Sequence, residues 1–148
     1  MPPKVVIIES CKVVPHDETP KHRLWPSNLD AFAPIAHVST VYLYKPNGDP
    51  DFFSVEILKT ALSKVLVTFY PLAGRLVFDK DGRPEVDCNA EGVLFSVAHA
   101  DCTVDGFGDF RPSPAVRQLL VPLVNVPENS CILALFQVPL HHFTSWKN

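Results

Sequence analysis

Histidine titrates closest to neutrality, so the six histidines of this 148-residue chain are its first candidates for proton transfer or metal ligation. His16, His22, His37 and His99 stand singly, without the short spacings that converge ligands on one ion. They read as surface or hydrogen-bonded core histidines, and no metal site is expected. His141 and His142 are adjacent and remain as candidates. The four cysteines, Cys11, Cys88, Cys102 and Cys131, are far apart and lack the close pairs of zinc sites and redox motifs. They read as buried, reduced thiols rather than as a disulfide framework. The sequence contains neither a Gly-x-Ser-x-Gly elbow nor a Gly-rich loop of phosphate-cradling spacing. Taken one at a time, these residues specify no chemistry.

The elements that must position them belong to one domain. A chain that is 47% hydrophobic and 20% charged can build a substantial core and is too apolar to be disordered. Thirteen basic residues scattered through a chain of net charge -3 form no stripe that would neutralise phosphates, so nucleic acid is not expected as a partner. Met1 to Ile8 lack the pattern of a secretory signal, and no apolar run reaches the about 18 residues of a membrane span. The expectation is a soluble, cytoplasmic protein with no membrane partner.

Val5 to Val14, rich in β-branched residues, predicts a strand. The Pro-rich stretch after Pro15 should run over the surface until Ala36 to Tyr44 resumes β character, followed by a Pro46-Asn47-Gly48 turn. From Ser54, a plausible N-cap, the spacing becomes helical: Val55, Leu58, Leu62, Val65, Leu66 and Phe69 recur at three and four residues. Pro71 should break the helix, and Gly74 should let the chain turn tightly into a strand. Arg75 to Phe78, Pro84 to Cys88 and Val93 to Ala100, separated by DKDG and NAEG turns, read as an antiparallel meander. Asp101 to Pro114 reads as irregular and Ala115 to Leu120 as one helical turn. Cys131 to Val138, CILALFQV, is the last strand, which Pro139 should end.

One segment is far more specific. In LSKVLVTFYPLAGRL, Leu62 to Leu76, an amphipathic helix runs through Phe-Tyr-Pro-Leu-Ala-Gly-Arg-Leu into a strand. WPSNLD at Trp25 to Asp30 and VYLYKP at Val41 to Pro46 before it, and GRPEVDCNAEGVL at Gly82 to Leu94 and LLVP at Leu119 to Pro122 after it, agree in order and spacing. From Pro3 to about Val138 the chain closely resembles the BAHD acyl-CoA-dependent acyltransferases, in particular the hydroxycinnamoyl transferases of plants.

The resemblance implies an α/β fold, the amino-terminal half of a chloramphenicol-acetyltransferase-like architecture with a mostly antiparallel mixed sheet and packed helices. It implies an acyl-CoA co-substrate, no bound cofactor, and transfer of an acyl group, hydroxycinnamoyl above all, to a small alcohol or amine acceptor. LAGRL is scaffold in that family. Catalysis there depends on a His-x-x-x-Asp motif whose first histidine is the general base. In that register His141 takes the base position, Ser145 stands where the family has Asp, and Trp146 where it usually has Gly. The pair also follows CILALFQV directly, without the family's intervening turn and strand. Residues 139–148 therefore read as a divergent tail on an incomplete amino-terminal domain, residues 1–138, such as a frameshift, altered splicing or a truncated gene copy would leave. No catalytic role is expected for His141, and no turnover for the chain alone. Thr40 and Tyr42 match positions that contribute to the aromatic acyl pocket of similar transferases, although both also suit ordinary packing on one strand face. The alternatives are a non-catalytic partner of full-length relatives, to be detected by pull-down, and a single-domain binder of small aromatic compounds. A sheet edge left open after Val138 would template self-association.

Overall fold

The computed structural model describes residues 5–32, 36–44, 46–100, 114, 117, 120–121, 131–132 and 134–140. Two sheets and one long helix organise them. Strands β1 (Val5–Val13), β5 (Val93–Ala100) and β7 (Leu135–Leu140) form the first sheet in the order β1-β5-β7. The second sheet runs β2 (Arg23–Leu24), β4 (Pro84–Asp87), β3 (Arg75–Phe78) and β6 (Cys131–Ile132). Every pairing is antiparallel except β5 with β7. This is the α/β class with a mostly antiparallel, mixed arrangement that the sequence predicts.

Alternation along β5 builds the core. Val93, Phe95 and Val97 fall on one face at a period of two and are at most 3% exposed. Cys11 and Val13 extend that face, because β1 pairs Cys11 with Phe95 and Val13 with Val93. The face is covered by α1 (Val55–Thr68) through Leu66, with Val55, Leu58 and Leu62 packed around it. Burying a leucine such as Leu66 contributes about 1.5–3 kcal/mol. Val65 and Phe69 do not join this face; they are about half exposed, because four-residue steps from Ile57 and Ala61 carry them round to the outer side. Ser54 occupies the N-cap position without a side-chain capping bond. Glu56 lies in the first turn, where the helix dipole favours an anion.

The meander is only half formed. β3 and β4 are a hairpin pairing Arg75 with Asp87 through Phe78 with Pro84. β5 leaves them for the first sheet. The connection passes through Ala90 and Gly92, both at positive φ (59° and 88°), and turns the chain away from β4. CILALFQV likewise divides between the two sheets: β6 joins β3, and β7 joins β5. Pro139 does not end the strand. β7 continues to Leu140, with Pro139 opposite Ala98, as a terminal strand tolerates a residue without an N–H.

Residues 36–44 make no strand among the described residues, and all are exposed. Their apolar side chains alternate on both faces, Val41 and Leu43 against Tyr42 and Tyr44, so a strand here would need neighbours on its edges and cover on both sides. Neither described sheet provides them. Pro71 does not simply stop the helix either; it opens a short 3-10 turn, Tyr70–Ala73. The predicted irregular stretch Asp101 to Pro114 lies almost wholly outside the described residues. Of Ala115 to Leu120, Arg117 and Leu120 have helical backbone, and the Val121 N–H donates to the Arg117 carbonyl at 2.9 Å.

Candidate functional site

The LAGRL segment is a structural knot. Ala73 is fully buried and Arg75 is 4% exposed. Arg75 Nη1 donates to the carbonyls of Gly74 (2.7 Å) and Gly92 (2.8 Å), tying the start of β3 to the start of β5. Arg75 Nη2 lies 3.1 Å from Glu91 Oε2. That contact is an ion pair without hydrogen-bond alignment, so this buried nitrogen has no hydrogen-bond acceptor among the described residues. Glu91 also reaches Lys12 at 3.5 Å. The pairing of Arg75 with Glu91 escaped the sequence reading, although both lie in segments that carry the family resemblance.

Gly74 is required for a reason other than a tight turn. Its φ of -87° is open to any residue, but a Cβ there would lie 2.3 Å from the Asp87 carbonyl oxygen. The motif therefore fixes how closely β3 approaches the end of β4. WPSNLD is local scaffold as well. Ser27 and Asp30 cap one another reciprocally: Ser27 N–H and Oγ–H donate to Asp30 Oδ2 (3.1 and 2.7 Å), and the Asp30 N–H donates to Ser27 Oγ (3.2 Å).

Thr40 and Tyr42 are both exposed, Tyr42 at 73%. Tyr44 differs. Its ring packs 5.0 Å from that of Phe53, which lies 4.8 Å from Phe52. Turn bonds from Asp49 N–H to Asn47 Oδ1 and from Ser54 N–H to the Asp51 carbonyl hold this aromatic group at the start of α1. Tyr44 is thus anchored, whereas Tyr42 presents its ring to solvent.

His22 Nε2 is 3.3 Å from the Tyr70 hydroxyl, and the two rings meet edge to face. The backbone N–H of His16 donates to the Ser63 carbonyl, and His99 is exposed on β5. No metal-binding cluster occurs among the described residues. Cys11 and Cys88 are free thiols, and burial, with Asp87 beside it, pushes the Cys88 thiol above its ordinary range. Cys102, His141, His142 and Ser145 lie outside the described residues, as does the side chain of Cys131.

Arg75 ties together two of the segments on which the sequence resemblance rests, LAGRL and the NAEG turn, and the whole-chain comparison agrees with that resemblance. The model of the Transferase family matches residues 3–144, and the chain belongs to that family, the BAHD acyltransferases. Among individual relatives, shikimate O-hydroxycinnamoyltransferase of Nicotiana tabacum is 49% identical over 140 residues, covering 95% of this chain and 32% of that protein. Putrescine hydroxycinnamoyltransferase 1 of Oryza sativa subsp. japonica is 51% identical over 137 residues, covering 90% and 31%. The crystal structure of vinorine synthase aligns with 65% of this chain and 24% of that one, at 28% identity and a TM-score of 0.46. The chain spans about a third of the length of the curated relatives it matches. No helix among the described residues is long and apolar enough to cross a membrane.

Proposed function

We propose that this chain corresponds to the amino-terminal part of a cytoplasmic acyltransferase that moves a hydroxycinnamoyl group from CoA to a hydroxyl or amine of a small acceptor, and that alone it does not turn over. The observation that carries the reading is the identity of 49% and 51% to two hydroxycinnamoyltransferases across nine-tenths or more of the chain. In the reaction, a histidine base takes the proton of the acceptor group, whose oxygen or nitrogen attacks the thioester carbonyl. The tetrahedral oxyanion collapses, the C–S bond breaks, and the CoA thiolate leaves and is protonated. In this chain the base position falls on His141, but Ser145 cannot make the charged contact of an aspartate and Trp146 brings a bulky ring where the motif has glycine. The functional unit on this reading is residues 1–138, with 139–148 diverging in residue type even where Pro139 and Leu140 still complete β7. β1 and β7, terminal in the order of their described sheet, give the free chain a route to self-association by strand addition.

The purified chain, mixed with p-coumaroyl-CoA or caffeoyl-CoA and shikimate, quinate or common amines, is expected to form no product above the uncatalysed rate by liquid chromatography. Product whose formation is lost in His141→Ala would overturn the reading. Within an active enzyme carrying these residues, Tyr42 and Thr40 contribute to the pocket for the aromatic acyl group. Tyr42→Ala is expected to shift the preference between p-coumaroyl-CoA and caffeoyl-CoA at least about threefold. Tyr44→Ala, whose ring is committed to Phe53, should change it less. Equal changes in kcat/KM ratio would remove Tyr42 from the pocket.

A further inference from the structure

The outer side of α1 carries a second apolar row that the core does not use. Ile57, Ala61, Val65 and Phe69 recur every four residues; Ile57, Val65 and Phe69 are 53%, 50% and 56% exposed, and Ala61 is exposed as well. A polar row, Glu56, Thr60 and Lys64, runs beside it. Glu56, Ile57, Thr60, Ala61 and Lys64 line the shallow groove between the two rows. Rows at four-residue spacing are the ridges that helices pack into one another's grooves, and a small residue such as Ala61 at the crossing lets two backbones approach.

We propose that this groove receives α1 of a second copy of the chain, antiparallel, about a two-fold axis passing near Thr60 and Ala61. The charges select that occupant. In an antiparallel two-fold pair each flank of the helix faces the same flank of its mate. Glu56 of each copy then lies opposite Lys64 of the other, and Ile57 opposite Val65. A parallel two-fold pair would instead exchange the flanks, setting the charged row of each copy against the apolar row of its mate and leaving Glu56 and Lys64 without opposite charges. Both charges are available: the Glu56 side chain is 85% exposed, with Lys59 3.5 Å away, and Lys64 has no ion-pair partner among the described residues. One pair of 14-residue helices buries less than the about 1,200 Å² at the low end of stable interfaces, so the association is expected to be weak and concentration-dependent.

Sedimentation velocity of the 148-residue chain over a concentration series at low salt tests this. A monomer–dimer equilibrium is expected in the wild type. Lys64→Glu and Glu56→Lys should each weaken it about tenfold or more, since either reversal makes both symmetry-related contacts repulsive. The double variant Glu56→Lys/Lys64→Glu should return Kd to within about threefold of the wild-type value. Ala61→Trp, which fills the groove without changing charge, should abolish the dimer. All three positions are exposed, and circular dichroism of each variant establishes that α1 is retained. A monomer throughout the series would overturn the proposal, as would single reversals without effect or a double variant no tighter than the singles. Association indifferent to these substitutions would assign the contact to the strand edges instead.

Discussion

Gly74→Ala is expected to destabilise the chain by about 3 kcal/mol, a large fraction of the roughly 5–15 kcal/mol that holds a domain folded. The backbone angles at Gly74 suit alanine, so the whole cost is steric. The new Cβ would lie 2.3 Å from the Asp87 carbonyl oxygen and 3.0 Å from that of Pro71. Neither is the end of a flexible side chain, so β3 must move away from β4. That movement also displaces Arg75, whose guanidinium joins the start of β3 to the carbonyl of Gly92. The control is Gly82→Ala in the β3–β4 turn. Gly82 has φ +78° and no atom within 4 Å of a built Cβ, so its cost is conformational only, about 1 kcal/mol. In thermal melts followed by circular dichroism, Gly74→Ala should lower Tm by about 6–12 °C, and Gly82→Ala by about 2–4 °C. Equal shifts would mean that the close approach of β3 to Asp87 is not what the LAGRL glycine provides.

The contrast between these glycines shows what the sequence could convey. α1 was legible almost to the residue because helical periodicity is local: Val55, Leu58, Leu62 and Leu66 recur at the period of one face, and that face meets β5. The β3–β4 hairpin was legible for the same reason, with the turn residues between its strands announcing it. The route of β5 was not. Its own residues suit a strand in either sheet, and the choice is made by β1, some eighty residues earlier in the chain. The division of CILALFQV between two sheets is equally non-local, since no turn residue within it signals a crossing. VYLY reads as a strand by propensity, yet propensity supplies no partner, and residues 36–44 stay exposed. At the candidate site, the sequence resemblance singles out the LAGRL segment that contains Arg75. It did not reveal that Tyr44 is anchored on Phe53, or that Arg75 and Glu91 form an ion pair across the knot.

The central claim is that these residues form a working amino-terminal part of a hydroxycinnamoyl transferase, with the missing chemistry lying downstream of them. A chimera tests it most directly. Residues 1–138 would replace the matching segment of the Nicotiana tabacum shikimate relative, whose identity to this chain is 49%, leaving that protein's downstream sequence unchanged. Transfer from p-coumaroyl-CoA to shikimate would then be measured beside the tobacco protein and this chain alone. Supplying a positioned base is worth typically 10²–10⁴ in rate. The chimera is therefore expected to turn over within about tenfold of the tobacco protein, whereas the chain alone stays at background. A chimera that is folded by circular dichroism and monodisperse yet inactive with every hydroxycinnamoyl-CoA offered would contradict the account, because the family fold would then be present without its function.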